Sequence, residues 1–471
     1  MNYKREKRGL SMEGFMEWIL EANAFVNDLV WGWPLLLLIF GTGIFLTTYT
    51  RFITITKFGY VIKETFFKMF KKDQLGEGEV TAFQAVSTAL AATVGTGNIA
   101  GVGTAIAIGG PGAVFWMWIA ATFGMATKYG EVVLSIKYRE KTEDGRFVGG
   151  PMYYLSKGAN MKWLAVLFAI FGTLATFGIG NMVQSNSVAD SLNATFGISP
   201  LLTGIVLAVL VALVILGGIK SIGKVTEVIV PFMAAIYLIG GLSIILLNIQ
   251  LVPEAFRIIF HDAFTGSAAA GGFVGSSIML SIRYGVARGV FTNEAGLGSA
   301  PIAHAAATTD HPVRQGLWGI FEVFADTIVL CTITALVIVM TGAWDTGLDG
   351  APLTTAAFEE GFAYGGYIVT FGLIFCAFST LLGWSYYGER CMEYLFGAKS
   401  IIIYRIVYLP LIVVGAVGGL RVVWDLADTL NGLMALPNLV GLLILSPVIV
   451  KSTKEYFGKD GIYEKEKNKI E

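Results

Sequence analysis

Asn98-Ile99-Ala100-Gly101-Val102-Gly103-Thr104-Ala105 and Asn293-Glu294-Ala295-Gly296-Leu297-Gly298-Ser299-Ala300 are two versions of one eight-residue pattern, and the fold is read outward from them. Five of the eight positions are identical, two more exchange Val for Leu and Thr for Ser, and the copies lie 195 residues apart. Each sits in an apolar run rich in Gly, Ala, Ser and Thr instead of Leu and Ile. Inside a bilayer, non-helical backbone is tolerated only where it lines a cavity or is buried in protein. Glycine accepts the dihedrals of an unwound segment and lets a ligand approach the main chain. Ala92-Thr93-Val94-Gly95-Thr96-Gly97-Asn98 is therefore expected to break one membrane helix, and Phe291-Thr292-Asn293-Glu294-Ala295-Gly296 to break another. At such a break the second half-helix offers free N–H groups to an anion, and the first ends in free carbonyls that suit a cation or an ammonium. Packing of small residues between helices would explain the glycines. It would not call for Asn98 and Asn293 at matching places.

Composition supports the membrane setting. Of 471 residues, 55% are hydrophobic and 14% charged, where a soluble domain carries about 25% charged residues. Mean hydropathy is +0.68. The net charge of −1 gives no global field to draw in nucleic acid. Cys331, Cys376 and Cys391 stand in or beside apolar runs without metal-ligand spacing and read as packing residues. Nothing resembles a catalytic triad, a phosphate loop or a metal set, so an enzyme is not expected. The first long apolar run starts near Val30 and has no small-residue cleavage site after it, so no cleavable signal peptide is expected.

Eleven candidate spans follow from the apolar runs: A (30–50), B (82–109), C (112–136), D (163–186), E (200–219), F (226–249), G (272–307), H (316–342), I (366–388), J (400–419) and K (425–450). B and G are five spans apart. Five is odd, so the second copy is expected to run through the bilayer inverted relative to the first, as in many secondary transporters. Span A is an extra leading helix. The expected organisation is an N-terminal extracellular segment (1–29), the extra helix with a cytoplasmic amphipathic linker (30–80), a first five-helix repeat (81–249), a second, inverted repeat (250–450) and a cytoplasmic tail (451–471).

Lys and Arg concentrate in the A–B, C–D, E–F and I–J loops and in the tail, whereas residues 187–199 and 343–365 hold none. The positive-inside rule then places the C-terminus in the cytoplasm and the N-terminus outside, in a multi-pass protein of the cell membrane. Lys4-Arg5-Glu6-Lys7-Arg8 points the other way, but it is distant from span A. Residues 55–72 mix aromatics with lysines, which suits a helix in the interface. The acidic, aromatic H–I loop is long enough to cover an outer vestibule.

Several polar side chains inside the spans need a reason. Cys376, Ser379, Thr380 and Trp384 share one face of span I, and hydroxyls suit a small hard cation. Hydroxyls bonding back to the preceding turn would look the same. Trp384 could floor a pocket. Asn181, Gln184, Ser185 and Val188 form a stripe on span D, and Gln184 can both donate and accept. Lys128, Glu131, Arg283, Arg288, Glu294, Glu322 and Asp326 are ionisable residues within spans, each costing about 2.5 to 3.5 kcal/mol on insertion scales. Glu294 replaces Ile99 at the break. Arg288 is a candidate for an outer gate, and Glu322 and Asp326, on one face, are expected to pair with these cations.

Gly95-Thr96-Gly97-Asn98 and Gly109-Gly110-Pro111-Gly112-Ala113-Val114-Phe115-Trp116 resemble the first two helices of the leucine-transporter fold. Gly-Thr-Gly-Asn-Ile-Ala-Gly-Val from Gly95, Gly150-Gly-Pro-Met-Tyr-Tyr and Thr292-Asn-Glu-Ala-Gly-Leu-Gly-Ser299 resemble the alanine/glycine:cation symporter family, and the likeness runs from about span A to span K. It implies an all-α membrane protein with a 5+5 inverted-repeat core, Na⁺-driven uptake of alanine or glycine, and H⁺ in place of Na⁺ in some relatives. It implies a substrate carboxylate near the Gly95 and Gly97 amides, with Thr96, Asn98 and Asn293 beside them, and an amine near the carbonyls of Thr93, Phe291 and Thr292. It implies a sodium site from the carbonyls of Ala91, Val94 and Cys376 and the hydroxyls of Ser379 and Thr380. The partners expected are the amino acid, Na⁺ and the lipid bilayer, with no nucleic acid and no obligatory protein partner. Another small solute on the same fold is the alternative.

Overall fold

A capping box opens the first of the two unusual spans. Thr81 Oγ1 accepts the Gln84 N–H at 3.0 Å and Gln84 Oε1 accepts the Thr81 N–H at 3.1 Å. The computed structural model describes residues 12–69, 76–265, 274–418 and 421–468; the N-terminal basic run, Lys71 and Lys72 lie outside them. Ahead of the box come α1 (Met12–Val30), α2 (Trp33–Tyr49) and the short α3 (Phe58–Glu64). The segment expected as an N-terminal extension is thus helical from Met12. After the box, α4 (Ala82–Thr93) stops where Val94 turns extended, a π-helical turn covers Gly97–Gly101, and α5 (Val102–Gly109) completes span B. The two halves are bent by 49°.

Spans C to F are α6 (Ala113–Tyr138), α7 (Lys162–Phe177), α8 (Val183–Phe196), α9 (Pro200–Ile215) and α10 (Gly218–Leu247). A π turn at Gly178–Met182 joins α7 to α8 into one span. A short hairpin, β1 (Glu140–Lys141) with β2 (Phe147–Val148), follows α6. Next come α11 (Val252–Thr265), α12 (Val274–Asn293) and the one-turn α13 (Pro301–His304). Span H is α14 (Pro312–Val323), a π segment Phe324–Cys331 and α15 (Thr332–Met340). The H–I loop folds as α16 (Gly350–Gly361). Then α17 (Gly365–Phe396), α18 (Ser400–Val417), α19 (Arg421–Phe457) and α20 (Ile462–Lys467) close the chain.

Among the described residues seven helices are long and apolar enough to cross a bilayer, or eight with the bent pair α4–α5. The eleven expected spans exceed that count at three helices. Helix α6 carries buried Lys128 and Glu131, α9 is only 16 residues long, and α12 carries Ser, Arg, Thr and Asn along its length. The helical core is built around α6, which packs against both α14 and α12, while α17 packs against α4, α7 and α10. Apolar side chains such as Leu213, Val228, Ile239, Leu246 and Ile406 are exposed on the outer surface. Apolar surface that a water-soluble fold would bury is the surface a lipid-facing helix presents.

The second break falls later than expected. Helix α12 runs through Phe291 and Thr292 to Asn293, and the irregular stretch is residues 294–300. Glu294, Gly296 and Gly298 all take positive φ there, at 54°, 96° and 81°. The Thr292 hydroxyl bonds back to Gly289 O, and Asn293 Oδ1 takes the Ala295 N–H at 2.9 Å, so the helix is capped at Asn293. The matched octapeptides therefore differ in structure: Asn98–Ala105 lies in the helix after a break, whereas Asn293 ends a helix and Glu294–Ala300 forms the break itself.

Helix α16 reaches back onto span B. A Cβ at Gly103 would stand 2.3 Å from Gly350 O. Main chain meets main chain there, and neither can move cheaply. Gly103→Ala is expected to destabilise the protein by about 1–3 kcal/mol, read as a lower thermal midpoint in detergent.

Candidate functional site

The main-chain groups bared at the first break are paired from several helices. The Gly95 N–H donates to Asn98 Oδ1 at 2.9 Å. Asn98 O accepts the Thr334 hydroxyl of α15, and Ile99 O accepts the Thr354 hydroxyl of α16, each at 2.9 Å. Asn98 Nδ2 donates to Asp326 Oδ1 at 2.7 Å. The Thr327 hydroxyl donates to Asp326 Oδ2 at 2.8 Å and accepts Asn293 Nδ2 at 3.0 Å. The two matched asparagines thus meet on adjacent residues of the π segment in span H. Glycine lets the breaks touch: a Cβ at Gly97 would stand 2.8 Å from Thr292 Cγ2, and one at Gly95 would stand 2.8 Å from Thr380 Oγ1.

Oxygen atoms gather beside Gly95. The Thr380 hydroxyl lies 3.1 Å and the Ser379 hydroxyl 3.3 Å from Ala91 O. Both lie 2.8 Å from Cys376 O. Two carbonyls and two hydroxyls therefore form one buried cluster between α4 and α17. Val94, whose carbonyl was expected to join them, is the residue at which α4 ends. Thr93 is buried, with its hydroxyl bonded back to Ala89 O.

Gln184 stands across from this cluster. Its Nε2 donates to Ile179 O at 3.0 Å and reaches the Thr96 hydroxyl at 3.4 Å, while its Oε1 is buried without a partner. Asn181 Nδ2 donates to Tyr408 O at 2.7 Å, a link between helices. Trp384 packs on the π turn of span D, where a Cβ at Gly180 would stand 2.3 Å from its own Cβ, and its ring meets Tyr387 edge-on. Phe291 diverges from the group. Its ring lies under the Arg288 guanidinium at 5.5 Å, in a cavity of about 90 Å³ shared with Trp31, Tyr284 and Asp428. Phe291, Thr292 and Asn293 still end α12, and the last carbonyls of a helix have no partner within it.

Of the two acidic residues expected to pair with the cations of these spans, Glu322 does so and Asp326 does not. Glu322 faces Lys128 at 3.3 Å and His304 at 3.1 Å, and His304 in turn meets Gln315 at 2.8 Å. Asp326 belongs to the asparagine junction. Arg283 pairs with Asp28, outside the core. Neither arginine meets Glu322 or Asp326, because both point along α12 towards α1 and α19, away from span H. Cys331, Cys376 and Cys391 are free and buried.

Glu131 has a role that spacing along the chain does not signal. Its Oε1 accepts the Gly296 N–H at 3.0 Å, the Gly298 N–H at 3.1 Å and Asn438 Nδ2 at 2.6 Å. Asn438 Nδ2 also donates to Gly296 O at 2.8 Å. A carboxylate of the protein itself thus occupies the amides of the second break. Glu294 stays local, accepting the Ser299 hydroxyl at 2.5 Å.

Bent and interrupted apolar helices around buried polar junctions define a multi-pass membrane transporter. The chain belongs to the sodium:alanine symporter family, whose model matches residues 16–470. It is 55% identical over 439 residues to the sodium/alanine symporter AgcS of Methanococcus maripaludis, covering 92% of this chain and 96% of that one. It is 40% identical over 463 residues to the probable sodium/glutamine symporter GlnT of Bacillus subtilis, covering 96% and 95%. A mutant form of the Eremococcus coleocola manganese transporter shares the fold alone, with a TM-score of 0.50 at 14% identity over 83% of this chain and 92% of that one. Relatives named as symporters and transporters make this a transporter and not an enzyme.

Removing the Glu131 carboxylate leaves two buried amides and Asn438 without their acceptor. Each unpaired buried group costs about 1–3 kcal/mol. Glu131→Ala is expected to lose the monodisperse peak in fluorescence-detected size exclusion, or to lower its thermal midpoint steeply. Glu131→Gln keeps an acceptor oxygen and is expected to lose less.

Proposed function

We propose that this protein carries alanine or glycine into the cell together with Na⁺, by alternating access. The observation that carries this reading is the oxygen cluster of Ala91, Cys376, Ser379 and Thr380 beside the first break. Carbonyl and hydroxyl oxygens are hard ligands suited to a small hard cation, and Val94 O completes the proposed set. Family membership supports both the ion and the amino acid.

The substrate carboxylate binds in this proposal at the first break, near Gly95, Thr96, Gly97 and Asn98, and Gln184 Oε1, an acceptor without a partner on the facing helix, is available to the substrate ammonium. Binding there requires the Asn98 side chain to release the Gly95 amide. The ammonium group is held by the end of α12, at Phe291, Thr292 and Asn293, with Thr93 opposite. Glu131 already accepts the Gly296 and Gly298 amides of the second break, which supports placing the anionic substrate group at the first. Trp384, packed against Gly180 and Tyr387, is a fixed wall that limits side-chain size.

The coupling is sufficient on energetic grounds. A zwitterion carries no net charge, so one Na⁺ moves one charge, worth about 2.3 kcal/mol per 100 mV. At about 1.4 kcal/mol per tenfold that sustains a roughly fiftyfold gradient of substrate. The same proposal includes eleven spans arranged as a leucine-transporter-like inverted repeat with one leading helix, an outside N-terminus and a cytoplasmic C-terminus.

Uptake of labelled alanine, glycine and glutamine into proteoliposomes tests it. Alanine and glycine are expected to accumulate only with an inward Na⁺ gradient, and accumulation driven by a proton gradient without Na⁺ would replace the ion. Thr380→Ala removes one ligand, worth about 1–1.5 kcal/mol, so the Na⁺ concentration for half-maximal uptake should rise about tenfold. Gln184→Ala should instead raise the KM for alanine at saturating Na⁺.

A further inference from the structure

A cavity of about 540 Å³ opens where the E–F and I–J loops meet. Its lining includes the first turns of two long helices, Gly218–Lys220 of α10 and Ile401–Ile402 of α18. Neither helix has a side-chain cap: the N-cap residues are Gly217 and Lys399, and no side chain accepts their first-turn amides. Each helix N-terminus carries about half a positive charge. Lysine is the wrong residue there, since like charge at the positive end of the dipole is unfavourable. Yet Lys220 stands in the first turn of α10 and Lys399 caps α18, and both line the same cavity.

The rest of the lining does not cancel them. Arg405 is held bidentately by Glu389, at 2.5 and 2.9 Å, and Arg146 by Glu393 at 2.7 Å and Asp144 at 2.6 Å. Arg390 meets Glu393 at 2.5 Å through one terminal nitrogen and Glu389 at 3.8 Å through the other. Glu79 takes the Phe147 N–H at 2.6 Å. Lys220 and Lys399 have no ion pair among the described residues. A second observation points to a missing partner. Arg390 is 5% exposed, lines this cavity, and its Nε–H has no acceptor. Buried polar groups are satisfied in native proteins, and an unsatisfied donor calls for a ligand or an ion.

What surrounds the cavity says which anion. Leu213 and Leu216 at the end of α9, and Ile402, Ile403 and Ile406 at the start of α18, are exposed large apolar residues, and α9 packs against α18. A positive, hydrogen-bonding recess directly beside an apolar outer face fits a molecule with a phosphate at one end and acyl chains at the other. Basic pockets between membrane helices bind lipid head groups in this way. We propose that this cavity is a binding site for the phosphate head group of an anionic phospholipid. Lys220, Lys399 and the first-turn amides of α10 hold the phosphate, Arg390 Nε donates from below, and the chains lie along α9 and α18.

The test uses the full-length protein in nanodiscs of phosphatidylcholine with or without phosphatidylglycerol, read by native mass spectrometry and thermal midpoint. The parent is expected to retain a bound phosphatidylglycerol and to melt higher when it is present. Lys220→Gln/Lys399→Gln should weaken retention about thirtyfold, at about 1 kcal/mol per basic residue, while melting like the parent in pure phosphatidylcholine. Lys220→Arg/Lys399→Arg should restore retention, which separates lost charge from lost folding. Undiminished retention in the Gln variant, or an equal loss in the control Lys451→Gln/Lys454→Gln, would overturn the site. Displacement of phosphatidylglycerol by millimolar inorganic phosphate would overturn the lipid and assign the cavity to a soluble anion.

Discussion

A peptide group bared in the middle of a bilayer has no water to turn to, so each one must find a partner within the protein. That requirement organises the centre of this structure. The π segment of span H presents Asp326 and Thr327 side by side, and the matched asparagines of spans B and G dock on them. Thr334 and Thr354 reach in from α15 and α16 to the carbonyls of Asn98 and Ile99. Glu131 of α6 holds the amides of Gly296 and Gly298. Remove any of these and a helix end is left unsatisfied in a low-dielectric interior, where the cost is highest.

The same requirement explains why ionisable residues were retained in an otherwise apolar chain. Lys128, Glu322, His304 and Gln315 form one buried chain of contacts beside the second break. Their neighbours Glu131 and Glu294 act on main-chain and hydroxyl donors of that break. The two breaks are therefore supported unequally. The first is held by an asparagine, itself bonded to the Asp326 carboxylate, and by several hydroxyls. The second is held by one carboxyl oxygen that accepts two amides at once.

Much of the site was legible one residue at a time. Glycines inside an apolar run, a polar residue at each break and hydroxyls three and four residues apart on span I are local signals, and the structure brings Gly95, Gly97, Asn98, Asn293, Ser379 and Thr380 within reach of one another. Phe291 was not legible in this way, because where a helix ends depends on the bonds made beyond its last turn, and the helix runs two residues further, to Asn293, whose Oδ1 accepts the Ala295 N–H. The partners of Arg283, Glu322 and Asp326 were not legible either, since a helical face does not reveal which neighbour it meets. Glu131 gave no signal at all: it lies 165 residues from the amide it holds.

The sequence by itself determined that this chain lives in a membrane and that spans B and G are glycine-rich, because hydrophobic length and glycine content act locally along the chain. It did not determine what the repeated octapeptide does. Near-identical residues form helix at Asn98–Ala105 and an irregular, left-handed turn at Glu294–Ala300. Each conformation is open to a glycine-rich segment, and the choice falls to partners distant in sequence: threonine hydroxyls for one copy, the Glu131 carboxylate for the other. Only the packing of α6 against α12 brings that carboxylate to the second copy, and so only the tertiary structure could decide it.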